Sequence, residues 1–560
     1  MFERRCHFVI VLMAGLIASA CSFAQAPPPP PQPLGPPPIP AGNPQTPAKI
    51  NLGKALFWDE QLSITGTIAC GSCHRPSNAG TDPRSLFANV GSTNPGPDMV
   101  FGNADDLQGS AGVPAHDSGG AYHVSAKFGM AAQVGARKSP SAINSAYSPV
   151  LFWDGRAGNT FVDPISGQTL IGQGGALENQ ALRPLLDTSE MAPQGAVITD
   201  VAGRITSVRP LALASSIPSA LVNWIAGRDY PTLFAETFGS NDITPARIAM
   251  AIASYERTLN ATQTPIDLQF AGQQVLTQLE QQGQQIFVAN DCAGCHAGNR
   301  FTDDNFRYIG VRPVNDDLGR FAQTGNIADR GAFRVPSLRN VELRAPYMHN
   351  GRFATLEEVV EFYNRGGDFN APNKDPRVRP RNLTQQQKNA LLAFLRRPLT
   401  DTRVGAEQAP FDRPTLYTES SHVPTIEGSA ANGSGGFAPV ITALEPPLLG
   451  NTNFTVAVSN ALAGATATLV VNSSDPGIQT SIPSGDFATL TTTLVGTGVG
   501  DGSGSLHVSL GNSPSLLGQS LYGRFYINDP AAANGLAITP AFRISVFGEV
   551  PALLMADGFE

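Results

Sequence analysis

The sequence predicts a mainly α fold in two successive helical domains, followed by a C-terminal antiparallel β-sandwich. Three observations predict it. Apolar residues recur at helical spacing in "TPARIAMAIASYERTL" (Thr244–Leu259), "TLEEVVEFY" (Thr355–Tyr363) and "TQQQKNALLAFLRR" (Thr384–Arg397). After about Glu419 the pattern changes to short strand-like runs such as "FTVAVSN", "ATATLVV", "LYGRFYI" and "FRISVF", separated by Gly, Asp, Asn and Pro clusters. Finally, a pentapeptide "CGSCH" (Cys70–His74) recurs as "CAGCH" (Cys292–His296), once in each half of the helical region.

Taken in order, residues 1–26 read as an export signal. Arg4 and Arg5 precede the apolar run "FVIVLMAGLIASA", which is too short to span a bilayer and ends in small residues. Periplasmic localisation follows, with a membrane tether only if Cys21 is lipidated. Residues 27–48 are a Pro-rich linker, since "APPPPPQPLGPPPIP" holds ten prolines and favours an extended polyproline path. Residues 49–270 and 271–418 form the two helical domains, each with one pentapeptide. Thr355 with Glu358 marks a capping box at one helix start. Residues 419–436 are a second linker, and 437–560 form the β-sandwich. That last domain has no Cys or Trp and reads as an accessory or docking unit.

The chain has 560 residues, a net charge of −8 and only 15% charged residues. It lacks the basic stripe that would displace counterions from nucleic acid. Four of its six cysteines lie in the two pentapeptides, which leaves no disulfide framework to propose. C-x-x-C can hold zinc, exchange disulfides or anchor a haem. A four-thiolate zinc site would leave each adjacent histidine idle, and no thioredoxin-like βαβ pattern surrounds either copy. C-x-x-C-H is the attachment signature of c-type haem, with thiols on the vinyl groups and histidine beneath the iron. Two covalently bound c-type haems are therefore expected, on Cys70, Cys73 and His74 and on Cys292, Cys295 and His296. The helical domains are then two c-type-cytochrome-like haem domains.

The flanking residues extend this reading. "NLGKALFWDEQLS" (Asn51–Ser63), "LFWDGRA" (Leu151–Ala157), "LENQALRPLLDTSEM" (Leu177–Met191) and "FRVPSLRNVELRAPYMHNGRFATLEEVVEFYNRGG" (Phe333–Gly367) occur in that order. Together they resemble the bacterial di-haem cytochrome c peroxidase / MauG family from about Lys49 to Pro414. The β-region lies outside the resemblance.

The resemblance implies a peroxidatic first haem and an electron-transferring second one. Glu190 in "DTSEM" and Gln180, ten positions before it, match the family's acid–base pair. A carboxylate above the iron can take a proton from hydrogen peroxide and return it to the departing oxygen. Trp153 matches the tryptophan between the haems, and His349 matches a histidine at a haem propionate. Tyr363 stands where the peroxidase branch has a methionine ligand to the second iron, as in MauG-type members; a phenolate favours ferric iron. Met130 falls where other members carry the histidine that caps the first iron, so Met130 is the candidate sixth ligand, with His116 and His123 upstream in a Gly-rich loop. Calcium is not expected. The asparagine that ligates it in relatives is replaced by Lys138, whose ammonium can supply the charge beside the carbonyls near Arg344 and Pro346. The insertion "NTFVDPISGQTLIGQGG" (Asn159–Gly175) is expected to reshape access to the first site.

Function expected from the resemblance is reduction of hydrogen peroxide with electrons from a small redox protein (cytochrome or cupredoxin) or from a MauG-like protein substrate. The alternatives are a di-haem oxygenase of the rubber-oxygenase type and a non-catalytic two-haem electron carrier.

Overall fold

The computed structural model describes residues 31–548. The expected export signal and Cys21 lie outside the described residues. Among the described residues no helix is long and apolar enough to cross a membrane.

The described part of the Pro-rich linker is not a free tether. Leu34 and Asn43 are buried. Asn43 donates to Glu178 Oε1 at 2.8 Å and accepts from Lys49 Nζ at 2.9 Å, while Tyr147 donates to Gly35 O at 2.5 Å. Polyproline geometry leaves backbone carbonyls unpaired, and here neighbouring side chains use them.

The first helical unit is built on a crossed pair, α1 (Pro47–Phe57) and α3 (Pro245–Glu256), with α2 (Ala176–Leu182) against α3. Thr46 and Thr244 cap α1 and α3, each accepting the backbone N–H three residues on. The crossing is closed by Gly53, where a methyl would lie 1.9 Å from Ala251 O. The second unit repeats the design. Helix α4 (Gln278–Ala289) opens on a Thr277–Glu280 capping box, and α6 (Gln385–Leu395) on a Thr384–Gln387 one. They cross at Gly283, where a methyl would lie 2.0 Å from Ala390 O. Between them runs α5 (Leu356–Asn364), capped by Thr355 and Glu358 as the sequence predicts.

A second duplicated device follows each pentapeptide. In "PSAIN" and "PSLRN" the serines Ser141 and Ser337 donate to Ala79 O at 2.6 Å and Arg300 O at 2.5 Å. Asn144 and Asn340 both take the left-handed conformation, φ 61° and 57°. Their side-chain carbonyls accept Ala261 N at 2.9 Å and Asp401 N at 2.8 Å. Each asparagine thus ties its loop to the chain a few residues beyond a helix or helical turn of its unit, Pro245–Glu256 and Arg397–Leu399.

The description "mainly α" overstates the helical content. From 59 to 175 the chain holds only helical turns of three or four residues and two-stranded pairs. Asx-type side-chain bonds satisfy much of this backbone instead, as at Asp117 with Gly119 N, 2.8 Å. One such pair, β1 (Ala111–Pro114) with β2 (Ala132–Val134), carries the Gly-rich loop between its strands.

The C-terminal region holds two antiparallel sheets. The segment expected as a linker contributes a strand, β3 (Thr425–Glu427), which pairs with Ala541–Arg543 at a sheet edge. The remaining strands are β4 (Val440–Ala443), β5 (Phe454–Leu462), β6 (Thr466–Asn472), β7 (Ala488–Thr493), β8 (Val499–Val508), β9 (Ser520–Asn528), β10 (Leu536–Ile538) and β11 (Ala541–Ser545). One sheet runs β4-β5-β8 and the other β7-β6-β9-β11-β3, with β10 beside β9. A single apolar cluster takes Val456 and Val458 from the first and Leu469, Phe525 and Phe542 from the second.

Because Gly283 lets two helix backbones touch, Gly283→Ala is expected to force them apart and destabilise the second unit by about 1–3 kcal/mol. Thermal unfolding followed by circular dichroism reads this; an unchanged midpoint would show that the crossing relaxes freely.

Candidate functional site

The first pentapeptide forms a single helical turn, Cys70–Cys73. Gly71 lies against Trp58, and a methyl there would fall 2.2 Å from the indole ring. Ser72 accepts Ala69 N at 3.0 Å and holds the turn. The second pentapeptide forms a 3-10 turn, Cys292–Gly294, entered through left-handed Asp291. None of the four cysteines is in a disulfide.

Both histidines are presented alike. His74 Nδ1 lies 3.0 Å from Gly80 O, and His296 Nδ1 lies 3.0 Å from Phe301 O. A backbone carbonyl can only accept, so each Nδ1 carries the proton and each Nε2 is left with its lone pair. Burial lowers the pKa of His74 and takes His296 down to about 4. Both rings are therefore neutral near pH 7, as an iron ligand must be. Next to each ring, an arginine missed by the sequence reading contacts the second cysteine. Arg84 Nη2 is 3.3 Å from Cys73 Sγ and is clamped by Asp82; Arg307 Nε is 3.1 Å from Cys295 Sγ and is paired with Asp303 and Asp375. The signal in the sequence was an arginine eleven or twelve positions after that cysteine.

A cavity of about 250 Å³ is walled by Cys292, Cys295, His296, Tyr363, Val360 and Leu391. Two thiols, a neutral imidazole and a phenol in one apolar cavity fit a covalently held haem. Tyr363, on α5, is half-buried, and among the described residues its hydroxyl makes no hydrogen bond. Burial raises its pKa, and Cys295 and Cys292 add to the effect.

The same cavity continues past Trp153 and Lys138 to Ser139–Ser145 of the first unit. Trp153 Nε1 donates to Lys138 O at 2.7 Å, and its ring meets His349 edge-on at 6.3 Å between centroids. His349 stacks on Phe333 at 3.6 Å and accepts Lys138 N on its own carbonyl at 2.8 Å. The buried Lys138 ammonium donates to Arg344 O and, at 2.7 Å, to Pro346 O. Those are the two carbonyls the resemblance assigns to calcium. The residues before Trp153 and His349, Phe152 and Met348, hold φ of 65° and 73°. Such bulky left-handed residues are strained and persist where packing fixes them.

Gln180 sits near the end of α2, and Glu190 follows in a turn whose N–H bonds to Asp187 O at 3.1 Å. Among the described residues no hydrogen bond joins the two side chains. Glu190 is near enough to the first pentapeptide for its charge to raise both Cys70 and Cys73. Loss of hydration lifts its own carboxyl to about 7, with Asp187 adding and Arg156 opposing.

Met130 is the residue that the resemblance offers as a sixth ligand to the first iron. Its side chain is buried in a small apolar cluster with Tyr122 and Ala457 of strand β5, a contact with a region no sequence pattern linked to it. His116 is buried with Nδ1 on Pro114 O at 2.5 Å, and His123 is exposed beside Asp117. The insertion Asn159–Gly175 forms a two-stranded pair, Phe161–Val162 with Thr169–Ile171, packed where Gly42 touches Leu170 O.

A family model described as di-haem cytochrome c peroxidase matches residues 47–275, and one for cytochrome c matches 280–397. The chain is 29% identical over 354 residues to methylamine utilization protein MauG of Methylorubrum extorquens, covering 62% of this chain and 78% of that one. It is 30% identical over 319 residues to cytochrome c551 peroxidase of Nitrosomonas europaea (56% and 72%). With cytochrome-c peroxidase IdrP1 of Denitromonas iodatirespirans it shares 30% identity over 428 residues (70% and 93%). Two half-buried histidines, each with Nδ1 on a backbone carbonyl beside a Cys pair, in a chain so matched, lead to one conclusion: this protein belongs to the di-haem cytochrome c peroxidase family and carries two covalently bound c-type haems.

Proposed function

We propose that the chain reduces hydrogen peroxide at the first haem, with electrons delivered from the second past Trp153. The observation that carries this reading is the single cavity that joins the second pentapeptide to the first unit along Trp153 and Lys138. When bound, the first haem supplies the iron at which the peroxide O–O bond is cleaved, and the second supplies the reducing electrons. Everything else falls to side chains. Glu190 takes a proton from the entering peroxide and returns it to the departing oxygen, so that water leaves. Gln180 donates a neutral hydrogen bond that orients the peroxide. Tyr363 is the candidate second protein ligand in the cavity that His296 also lines, and Trp153 is the aromatic bridge. Lys138 is a tethered cation in the place that calcium takes in relatives.

The electron donor is a small redox protein, a cytochrome or cupredoxin, or a protein substrate oxidised at long range. Export to the periplasm, the division at residues 270 and 418, and a β-sandwich made by the two C-terminal sheets complete the reading. The mixed apolar cluster between those sheets supports the last.

Glu190 must be a carboxylate to act as base. Its raised pKa means that this form dominates above about 7. The second-order rate with peroxide should therefore rise with pH through that value, and Glu190→Gln should lower it by about two to four orders of magnitude. A flat profile, or full activity in the variant with both haems retained, would reject the assignment. Tyr363→Met should raise the reduction potential of the second haem, because a thioether favours ferrous iron more than a phenolate does; spectroelectrochemistry measures it. Lys138→Met keeps the stem but leaves two buried carbonyls unpaired, at a cost of about 1–3 kcal/mol. It should also slow electron exchange between the haems in stopped-flow reduction. An unaltered exchange rate would remove Lys138 from the relay.

A further inference from the structure

The C-terminal sheets lie outside both family-model matches, residues 47–275 and 280–397, yet they touch the first unit at residues 120–130. Strands β1 and β2 are joined by residues 115–131, which hold Tyr122 and Met130 buried on either side of exposed His123 and Val124. What buries them is the β-region. Tyr122 Oη donates to Glu445 Oε1 at 3.1 Å, and Tyr122 N donates to Ser505 Oγ at 3.1 Å. Thr455 Oγ1 donates to Gly120 O at 3.2 Å, while Thr455 N fixes the other oxygen of Glu445 at 3.0 Å. Ala457 completes the apolar contact with Tyr122 and Met130.

The opposite side of the same hairpin lies on the Glu190 backbone. A methyl on Gly112 would fall 2.1 Å from Ser189 O and 2.5 Å from Glu190 O. Four residues past Glu190, Gln194 N donates to His116 O at 2.9 Å. The 115–131 segment is thus held from two directions, by β5 and β8 on one side and by the Glu190 turn on the other. The segment has turns of its own, with Asp117 N on Ala121 O and Ser125 N on Gly129 O, and the contacts on its two sides fix where those turns sit.

We propose that the β-region is a clamp on the first haem site, and that Tyr122 and Glu445 are positioning residues that hold the 115–131 segment against Glu190. This rests on the reading of Glu190 as the acid–base group. The clamp also keeps His116, His123 and Met130 in fixed places, so none of them moves to the first iron in the resting protein.

Hydrogen–deuterium exchange on the full-length, haem-loaded, oxidised protein tests it, comparing the wild type with Tyr122→Phe and with the double variant Thr455→Val, Ser505→Ala. Amides between 115 and 131 should exchange about tenfold faster in both, with the β6 and β9 amides unchanged as the control for folding. The absorption spectrum of the resting protein should gain a six-coordinate component at the first haem. Unchanged exchange in both variants would overturn the clamp. Faster exchange with an unchanged spectrum and unchanged peroxide kinetics would overturn the positioning role. Exchange does not depend on peroxide chemistry, so a failure of the Glu190 assignment would appear separately, in Glu190→Gln alone.

Discussion

The Lys138 ammonium organises the meeting of the two units. A buried cation without partners is too costly to retain, and this one is satisfied by backbone carbonyls of the other unit, Arg344 O and Pro346 O. Once those bonds are made, the rest of residue 138 is fixed as well. Its N–H reaches His349 O, and its carbonyl receives the Trp153 indole N–H. One residue therefore sets the place of Trp153, of His349 beside it and of the seam between the units. Arg137, its neighbour, adds a second tie across the same seam through Asp317 at 2.6 Å while holding Asp154 at 2.8 Å.

Duplication explains how the two sites come to be similar. Each unit crosses two helices on a glycine, anchors one loop with a serine and a left-handed asparagine, and gives its histidine a carbonyl for Nδ1. Only the pentapeptides reveal this in the sequence. "PSAIN" and "PSLRN" are too short to stand out, and Gly53 and Gly283 look like weak helix positions until a second helix is placed against them. The spacing between the repeated devices also differs in the two units, which hides the repeat from a periodicity search.

Helix starts were legible because a cap is local: Thr244, Thr355 and Thr384 all cap where the pattern placed them. The haem attachment was legible because five adjacent residues hold all the chemistry. Non-local features were not. The Pro-rich segment reads as a tether until Asn43 finds Glu178, more than a hundred residues away. "TIE" in the presumed linker becomes a strand only because Ala541–Arg543 offers it an edge. Met130 matched a ligand position in relatives, but the β-region that claims its side chain is absent from the family pattern. Arg84 and Arg307 stayed hidden for a different reason. Arginines are common, and nothing but the folded turn brings them to the second cysteine of each pair.

With the proximal sides alike, any difference in chemistry must come from the other wall of each cavity. In the second unit that wall presents Tyr363, whose hydroxyl makes no hydrogen bond among the described residues; bound to an iron as the anion, such a phenol would be a hard ligand that favours the ferric state. In the first unit the proposed counterpart is Glu190, whose carboxyl is lifted to about 7 by loss of hydration and which on that reading exchanges protons rather than binding iron. A closed site can pass electrons without rearranging; an open site with a proton carrier can break an O–O bond. On the proposed reading, one duplicated scaffold serves two tasks through different side chains, Tyr363 in the second unit and Glu190 in the first. The shared seam at Lys138 and Trp153 keeps the two close enough to act as one unit.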